Sequence, residues 1–312
     1  MVRMIYQHRA RAETRTRGKP NPRRRPRSFR EREWHDSQPI TADLMLDFAG
    51  SITGGFGMTT ETMGNFAPRT GGFGPTDARE RNFFLALLAG IWIGVVGGFG
   101  TDILDHIKTG APAYLPIVHV HAAVFSAWLL LLSAQIFLIR GGHRALHRRL
   151  GMAAAFMIPA MLVLGFAAAW VSHVARYTPE APHTAFFSIE IGSLLSFGGL
   201  AGAGLWLRKS PAGHKRLMLL STLGLSTAGF ARLWDFVFGD LLGEGFWPFF
   251  IEFSSAADLL ILALGVHDLI RHRRLHPAYL AGVVWILIIQ LGGTGLYFSP
   301  AWRAFAPHLI GH

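Results

Sequence analysis

The sequence predicts an all-α protein, a polytopic bundle of about seven transmembrane helices with its N-terminus in the cytoplasm and its C-terminus outside. Hydrophobic residues make up 51% of the 312-residue chain, and the mean hydropathy of +0.32 is high for a soluble protein. Seven apolar stretches are each long enough to cross a bilayer core of about 30 Å. Connecting segments rich in Lys and Arg alternate with segments that are poor in them.

The N-terminal segment, residues 1–80, differs in composition from the predicted seven-helix domain, residues 81–312. Its first 34 residues hold twelve Lys and Arg against three Glu, a net charge of +9, whereas the whole chain carries +11. With little apolar surface to bury, the segment is predicted to be disordered. We expect residues 1–57 to be a dispensable leader, with a later start at Met58. The alternative is a polybasic arm for anionic lipid or nucleic acid, although we expect no specific nucleic-acid partner.

The first two predicted spans have the clearest features. The first, Phe83–Gly100, carries Gly90, Gly94 and Gly98 at every fourth position. This smooth stripe predicts close contact with another helix. The second, Ile117–Ile139, has 23 residues without Lys, Arg, Asp or Glu.

The later spans follow after short connections that contain Pro and Gly. The third span, Met152–Val171, includes Pro159, at which we expect a kink. Apolar composition and length also predict four further spans. These are Ala185–Leu207, Leu217–Phe238, Phe249–Ile270 and Leu280–Phe298.

Loop charges predict the orientation in the membrane. The loops at 140–151, 208–216 and 271–276 together carry eleven Lys and Arg, whereas the intervening loops carry two. Positively charged loops remain in the cytoplasm, so the N-terminus is predicted to be cytoplasmic and the C-terminus external. We expect the basic loops to contact anionic lipid headgroups.

Ionisable side chains inside the spans are candidate functional residues, because a charge within the membrane normally faces a cavity or a partner. Asp258 lies about 13 Å from the start of its span at about 1.5 Å per residue. Either a partner such as Arg232 or His121 or protonation of the carboxyl group would offset the cost of burying its charge. The other candidates are Glu190, Glu252, Arg232 and Asp235. As structural alternatives, Arg232 and Asp235 are spaced to neutralise each other, and the two glutamates can lie at the membrane interface.

Histidines cluster near both predicted membrane faces. His119 and His121 begin the second span, and the deeper His121 is the better candidate to point inward. His143 and His147 are four residues apart, which is a metal-ligand spacing. The arginines beside them would repel a divalent cation, which favours contact with lipid headgroups. The other candidate histidines are His173, His214 and His267.

Four motifs carry a resemblance to known proteins. They are HVH at 119–121, LHRRLG at 146–151, HKRLM at 214–218 and RRLHPAYL at 273–280. Together they resemble an uncharacterised family of bacterial multi-spanning membrane proteins, over roughly residues 84–298. The resemblance implies a multi-pass protein of the bacterial cytoplasmic (inner) membrane and implies no catalytic residues. More loosely, the histidines near both faces are similar to those of membrane b-type cytochromes, in which ligand histidines face one another inside the membrane.

We favour a haem-b-type redox protein as the first of three functional hypotheses, because neutral imidazoles are good axial ligands and a helix bundle can enclose a porphyrin. An outer haem would use His119 or His121 with His173, and an inner haem would use His147 with His214 or His267. The chain contains no cysteine, which excludes thiolate ligands, disulfides and cysteine nucleophiles.

Two other hypotheses rest on the ionisable residues. A transporter or channel would have a polar vestibule in the outer half of the membrane. That vestibule would contain Glu190, Arg232, Asp235, Glu252 and Asp258. A metal-dependent membrane hydrolase would bind zinc and use a glutamate as the base. Its zinc ligands would be His119, His121 and Asp258, with Glu190 or Glu252 as the base.

Overall fold

The computed structural model describes residues 73, 77–110, 113–177, 183–239 and 241–311, which belong to one compact unit. The predictions of disorder, of a dispensable leader and of a start at Met58 fall almost wholly outside the described residues. Over the described part of the chain the fold class is confirmed, because its regular elements are all helices.

Seven helices are long and apolar enough to cross a membrane, as judged by length and composition. We conclude that the chain is a multi-pass integral membrane protein. A shorter eighth helix follows them, and short 3-10 turns at His183–Phe186 and Leu207–Lys209 flank α4. The helices are α1 (Ala78–Thr109), α2 (Pro116–Arg140), α3 (Arg144–Arg176), α4 (Phe187–Trp206), α5 (Pro211–Phe238), α6 (Phe246–His272), α7 (Pro277–Phe298) and α8 (Pro300–Leu309).

The bundle has two ends of different character. Short connections make successive membrane-spanning helices antiparallel. The basic end holds the starts of α1, α3, α5 and α7 and the three Lys- and Arg-rich connections. The opposite end holds the other ends of these helices, together with α8. The cytoplasmic location of the basic end stays a prediction.

Several helices extend beyond the predicted spans. α1 continues past its predicted end at Gly100 until Gly110, in the left-handed conformation with φ 62°, terminates it. Its first turn is capped by Asp77, whose carboxylate accepts the backbone N–H of Glu80 at 2.8 Å. α3 begins inside the predicted loop 140–151. The predicted spans are shorter than the helices because hydropathy decreases at the first charged residue. A helix continues until a capping residue terminates it.

α5 is the centre of the bundle and packs against α1, α4, α6 and α7. Leu220 on this helix is fully buried. The Ser221 hydroxyl donates to the Met218 carbonyl at 2.8 Å, so this buried polar group is satisfied within the helix. Trp128 of α2 donates its indole N–H to the Thr222 hydroxyl at 3.1 Å. The central position of α5 therefore places its polar side chains against other helices.

The predicted glycine stripe is confirmed as a close helix contact. Gly94 and Gly98 of α1 are buried against α5, where the backbone of Gly229 crosses them. A Cβ atom added to Gly98 would lie 1.8 Å from the carbonyl oxygen of Gly229. The two helices approach this closely because neither has a side chain at the crossing point.

Helix α8 is an element that hydropathy does not predict, because its ten residues are too few to cross a membrane. The Ser299 hydroxyl caps its first turn by accepting the backbone N–H of Trp302 at 3.4 Å. The Trp302 indole N–H donates to the carbonyl of Ala185 at 2.9 Å. These contacts attach α8 to the 3-10 turn that leads into α4.

Candidate functional site

A fully buried ion pair lies near the basic end, between α5 and α6. Arg216 donates to both carboxylate oxygens of Asp268, at 2.7 Å from Nε and 2.5 Å from Nη2. Both side chains have no solvent-exposed area. The remaining guanidinium nitrogen donates to the Ala212 carbonyl at 2.8 Å. Two-point pairing of this kind holds an ion pair in one geometry.

Further polar groups surround this pair and form what we call the basic-end cluster. Lys215 of α5 pairs with the buried Glu80 of α1. His267 stacks on Phe83 with ring centroids 4.0 Å apart, and its Nδ1 lies 3.6 Å from Oδ1 of Asp268. Within the described chain neither ring nitrogen of His267 makes a hydrogen bond. The cluster consists of Glu80, Lys215, Arg216, His267, Asp268, His272 and His276.

His276 is the part of this cluster that lies between two membrane-spanning helices. Its Nδ1 accepts the backbone N–H of Ala278 at 3.0 Å and so caps α7. Burial, followed by the nearby positive charge of Arg216, lowers the pKa of His276 from 6.5 to about 4. The neutral ring keeps Nδ1 available as an acceptor. The Phe73 ring covers both side chains, with centroid distances of 4.6 Å to His276 and 4.5 Å to the Arg216 guanidinium carbon.

His147 and His214, which the haem hypothesis pairs, have ring centroids 6.3 Å apart and ring planes at 84° to each other. Nδ1 of His214 lies 2.7 Å from the Gly204 carbonyl and must donate to it, so in the neutral ring Nε2 is an acceptor. The Gln135 amide, oriented to accept from the N–H of Gly151 at 2.9 Å, donates to Nδ1 of His147. Nε2 of His147 then carries the proton. Each ring is thus held by a hydrogen bond at its Nδ1.

Asp258 lies in the middle of α6, and its predicted partners are wrong. The side chain accepts a hydrogen bond from Gln290 of α7 at 3.0 Å rather than contacting Arg232 or His121. Oε1 of Gln290 is buried and has no hydrogen-bond partner in the described residues. An amide therefore satisfies the buried carboxylate, and the same amide presents an unsatisfied acceptor on its other side.

A central cavity of about 30 Å³ lies beside Gln290, between α4, α5, α6 and α7. Its walls include Ser196, Thr227 and Ser254, and the Ser196 hydroxyl lacks a partner among the residues that the structure describes. A single water needs about 10–15 Å³ measured in this way, and it needs polar partners. The cavity therefore suits one or two water molecules or a small ion.

A larger cavity, of about 130 Å³, lies at the opposite end between α5 and α6. We call it the acidic cavity, because its charged wall residues are Asp235 and Glu252. Oε1 of Glu252 and Nε1 of Trp234 are buried and make no hydrogen bond to any described residue. Phe253 lines both this cavity and the central one. One aromatic residue is thus common to the walls of both cavities.

Arg232 does not pair with Asp235, contrary to the structural alternative considered for the sequence. It forms an ion pair with Asp102 of α1 at 3.6 Å and packs over Phe99 at 4.7 Å. Asp102 also accepts from the Tyr114 hydroxyl at 3.4 Å, and burial, with this carboxylate, raises the pKa of Tyr114. Asp235 therefore makes no ion pair with Arg232. It lines the acidic cavity, whose described wall residues include no Lys or Arg.

The remaining candidates form a third polar group at the opposite end. Nε2 of His173 lies 2.7 Å from Oε2 of Glu190, and this hydrogen bond links α3 to α4. His121 of α2 interacts electrostatically with the same carboxylate and packs on Phe125 at 3.9 Å. Of the two histidines of the HVH motif, His121 is therefore the one near other candidates. His119 instead lies edge-on to Tyr114, with ring centroids 6.3 Å apart.

These groups do not form a zinc centre of the kind predicted for a hydrolase. Across the described ranges, no set of three His, Asp or Glu side chains is placed to hold a metal ion. The ligands predicted together are divided, because His121 lies near Glu190 whereas Asp258 is bonded to Gln290. The predicted zinc ligands therefore do not share one site.

Sequence reasoning did not identify three of the polar residues that the fold brings together. Arg216 lies in a predicted basic loop, and basic residues commonly flank a membrane span. Asp268 is adjacent to His267 in the sequence, but its pairing with Arg216 is not predicted. A signal exists on α6, where Ser254, Asp258 and Asp268 recur at spacings of four and ten residues and so share one helix face. The three residues are Glu80, Arg216 and Gln290.

Comparisons of this chain with models of protein families, with curated proteins and with solved structures found no match. The resemblance indicated by the HVH, LHRRLG, HKRLM and RRLHPAYL motifs stays a prediction. Function is therefore inferred from the arrangement of the side chains themselves.

Proposed function

We propose that this integral membrane protein is a transporter of protons or small cations, with a polar path between α5, α6 and α7. The observation that carries this proposal is the sequence of sites along α6. The acidic cavity and the central cavity share Phe253, and Gln290 connects the central cavity to Asp258. Buried charges and unpaired polar atoms inside a membrane protein commonly mark an ion pathway.

The acidic cavity supplies the entry site for the cation. Asp235 and Glu252 attract positive charge, and Arg232 does not compete because it pairs with Asp102. A carboxylate oxygen that is buried without a hydrogen bond is energetically unfavourable. A bound proton or cation at Glu252 removes that cost.

The polar face of α6 carries the cation or proton towards the basic end. Ser254 and Asp258 lie on this face, and further along it the Tyr279 hydroxyl donates to the Ile261 carbonyl at 3.0 Å. The next carboxylate on this face of α6 belongs to Asp268, which forms an ion pair with Arg216. A cation that reaches Asp268 has to displace Arg216. The buried ion pair therefore acts as the gate of the proposed path.

Transport by the reconstituted protein tests this function. Liposomes containing the protein and an internal pH indicator should acidify or alkalinise faster than protein-free liposomes when a membrane potential is applied. We expect Glu252→Gln and Asp258→Asn to slow this change by about tenfold or more, the effect of losing about 1.4 kcal/mol at the rate-limiting step. Alkali-cation gradients are to be tested in the same way.

The matched control is Glu244→Gln, which removes an exposed carboxylate from the connection before α6. It should leave the transport rate unchanged. The proposal is wrong if wild-type liposomes conduct protons and cations no faster than protein-free ones, or if Asp258→Asn and Glu252→Gln behave like Glu244→Gln.

A second proposal is that the protein binds haem b, for which the neighbouring pair His147 and His214 is the supporting observation. Hydrogen bonds hold Nδ1 of each ring, so each histidine would ligate iron through Nε2. Ligation through both Nε2 atoms requires His147 to change its tautomer and Gln135 to turn its amide. When bound, haem would supply one-electron transfer.

Absorbance spectra test the haem proposal. Protein prepared with haem should show a reduced b-type spectrum that His147→Ala and His214→Ala diminish, because each removes one axial ligand. His143→Ala is the control, since His143 is exposed and lies one helical turn away from His147. A colourless preparation, or equal spectra in all three variants and the wild type, contradicts this proposal.

A further inference from the structure

The acidic cavity has a chemical character that the proposed transport of cations does not by itself specify. Its wall combines two carboxylates with three aromatic rings, and its volume is about 130 Å³. A single water needs only about 10–15 Å³ in the same measure. The space therefore exceeds the needs of a proton or a dehydrated metal ion. The aromatic residues of the wall are Trp234, Phe249 and Phe253.

The aromatic rings are held in position by their neighbours. Phe249 stacks on Tyr297 of α7 with ring centroids 4.7 Å apart and an interplanar angle of 16°. It also lies parallel to Phe253, at 5.8 Å and 6°. Trp234 packs on Phe238 at 4.6 Å. Because the rings are fixed before any ligand arrives, binding does not have to order them.

This combination favours an organic cation over a metal ion. The face of an aromatic ring attracts an alkylammonium group, and this attraction is strongest when the site excludes water. Metal ions instead require several oxygen or nitrogen ligands, and the described residues hold no such group of three. Carboxylate and aromatic groups together are thus suited to a diffuse positive charge on a small alkylated amine.

The charge of the wall points the same way. Asp235 and Glu252 are its charged residues, and no Lys or Arg lies among the described residues of the wall. A ligand that carries a positive charge therefore complements the cavity.

We infer that the acidic cavity binds a small alkylammonium compound, with its cationic group against the two carboxylates and the aromatic rings. This inference deepens the proposed transport function, since it names the substrate class of the same path, and rests on that function for its biological meaning. The binding site itself depends only on the geometry of the cavity.

Calorimetric titration of the purified full-length protein in detergent tests this inference with three probes. Choline has both the quaternary ammonium and the hydroxyl group. Tetramethylammonium lacks the hydroxyl, and 3,3-dimethylbutan-1-ol is the uncharged counterpart of choline. We expect choline and tetramethylammonium both to bind, and the uncharged alcohol to bind at least about tenfold more weakly than choline, since contacts to charged groups are the stronger ones.

Two variants locate the site. Glu252→Gln keeps the size of the side chain and should weaken choline binding by about tenfold or more. Trp234→Phe replaces the ring type that attracts cations most strongly with a weaker one, so it should weaken the binding of choline and of tetramethylammonium. Glu244→Gln should bind all three probes as the wild type does. If one variant fails to fold, as judged by size-exclusion chromatography, the other still decides the question.

The inference is overturned if choline does not bind, if the uncharged alcohol binds equally well, or if Glu252→Gln and Trp234→Phe leave choline affinity unchanged. Its failure is distinguishable from failure of the transport proposal. Proton or alkali-cation flux without choline binding leaves the transport function and removes the ammonium site. Choline binding without flux of any cation, choline included, leaves the site and removes the transport function.

Discussion

The variant Asp268→Asn is expected to lower the free energy of unfolding by about 3–5 kcal/mol, because it leaves Arg216 as a buried cation without a counter-charge. Arg216 and Asp268 have no exposed side-chain area, so water cannot replace the lost partner. Arg216→Met should have a similar effect, because it leaves the carboxylate unpaired. Thermal or denaturant unfolding of the purified protein in detergent measures both.

The double variant Arg216→Met/Asp268→Leu distinguishes the loss of the whole ion pair from the loss of one partner. Apolar replacement of both partners of a buried ion pair is often neutral or stabilising, so most of the lost stability should return. Asp77→Asn is the surface control, since Asp77 pairs with Arg271 at the same end and is 45% exposed. Its effect should be small, because solvent screens an exposed ion pair. An Asp268→Asn protein as stable as the Asp77→Asn protein would show that the buried pair does not hold α5 to α6.

The double variant also tests the proposed gate. If the pair serves stability alone, the double variant should transport at the wild-type rate. If Asp268 belongs to the transport path, the double variant should be stable and inactive. Unfolding and flux measured on the same preparation distinguish the two roles.

The variant Gly98→Ala is expected to cause the second large loss of stability. Its Cβ atom would lie 1.8 Å from the backbone oxygen of Gly229, which has no flexible side chain that can move away. α1 and α5 must therefore separate along their whole contact. We expect a cost of about 3 kcal/mol or more, at or above the upper end of ordinary overpacking.

Gly100→Ala is the matched control on the same helix, because no atom lies within 4 Å of the added methyl group. It should be neutral or slightly stabilising, since alanine favours helix more than glycine does. Unfolding temperatures of the two variants in the same detergent test the prediction. Equal stability of Gly98→Ala and Gly100→Ala would mean that the helices do not cross at Gly98.

Helix number and the glycine contact could be predicted without tertiary information. Apolar length alone predicts seven spans, because a membrane allows a helix to satisfy its backbone only within itself. The recurrence of Gly94 and Gly98 at four residues predicts a close approach, since both lie on one face. The sequence did not specify the partner helix, because any helix with a small residue at the crossing point would fit. The fold supplies Gly229.

The partners of the charged residues depended on packing between distant helices. Asp258 and Gln290, or Arg216 and Asp268, are separated by 32 and 52 residues. Short-range spacing instead suggested Arg232 with Asp235, a pairing that the structure replaces with Arg232 and Asp102. Spacing along one helix predicts only contacts within that helix. Pairing between helices depends on their order around α5, which hydropathy does not encode.

The sequence by itself therefore determined that this protein is an all-α, multi-pass membrane protein and which side chains are costly enough to need partners. Hydrophobic length and charge are properties of each segment and can be read locally. Only the tertiary structure decided that Phe253 lines two cavities, that Gln290 hydrogen-bonds to Asp258 and that Arg216 pairs with Asp268. These relations arise because α4, α6 and α7 pack around α5, and a cavity exists only where several helices meet.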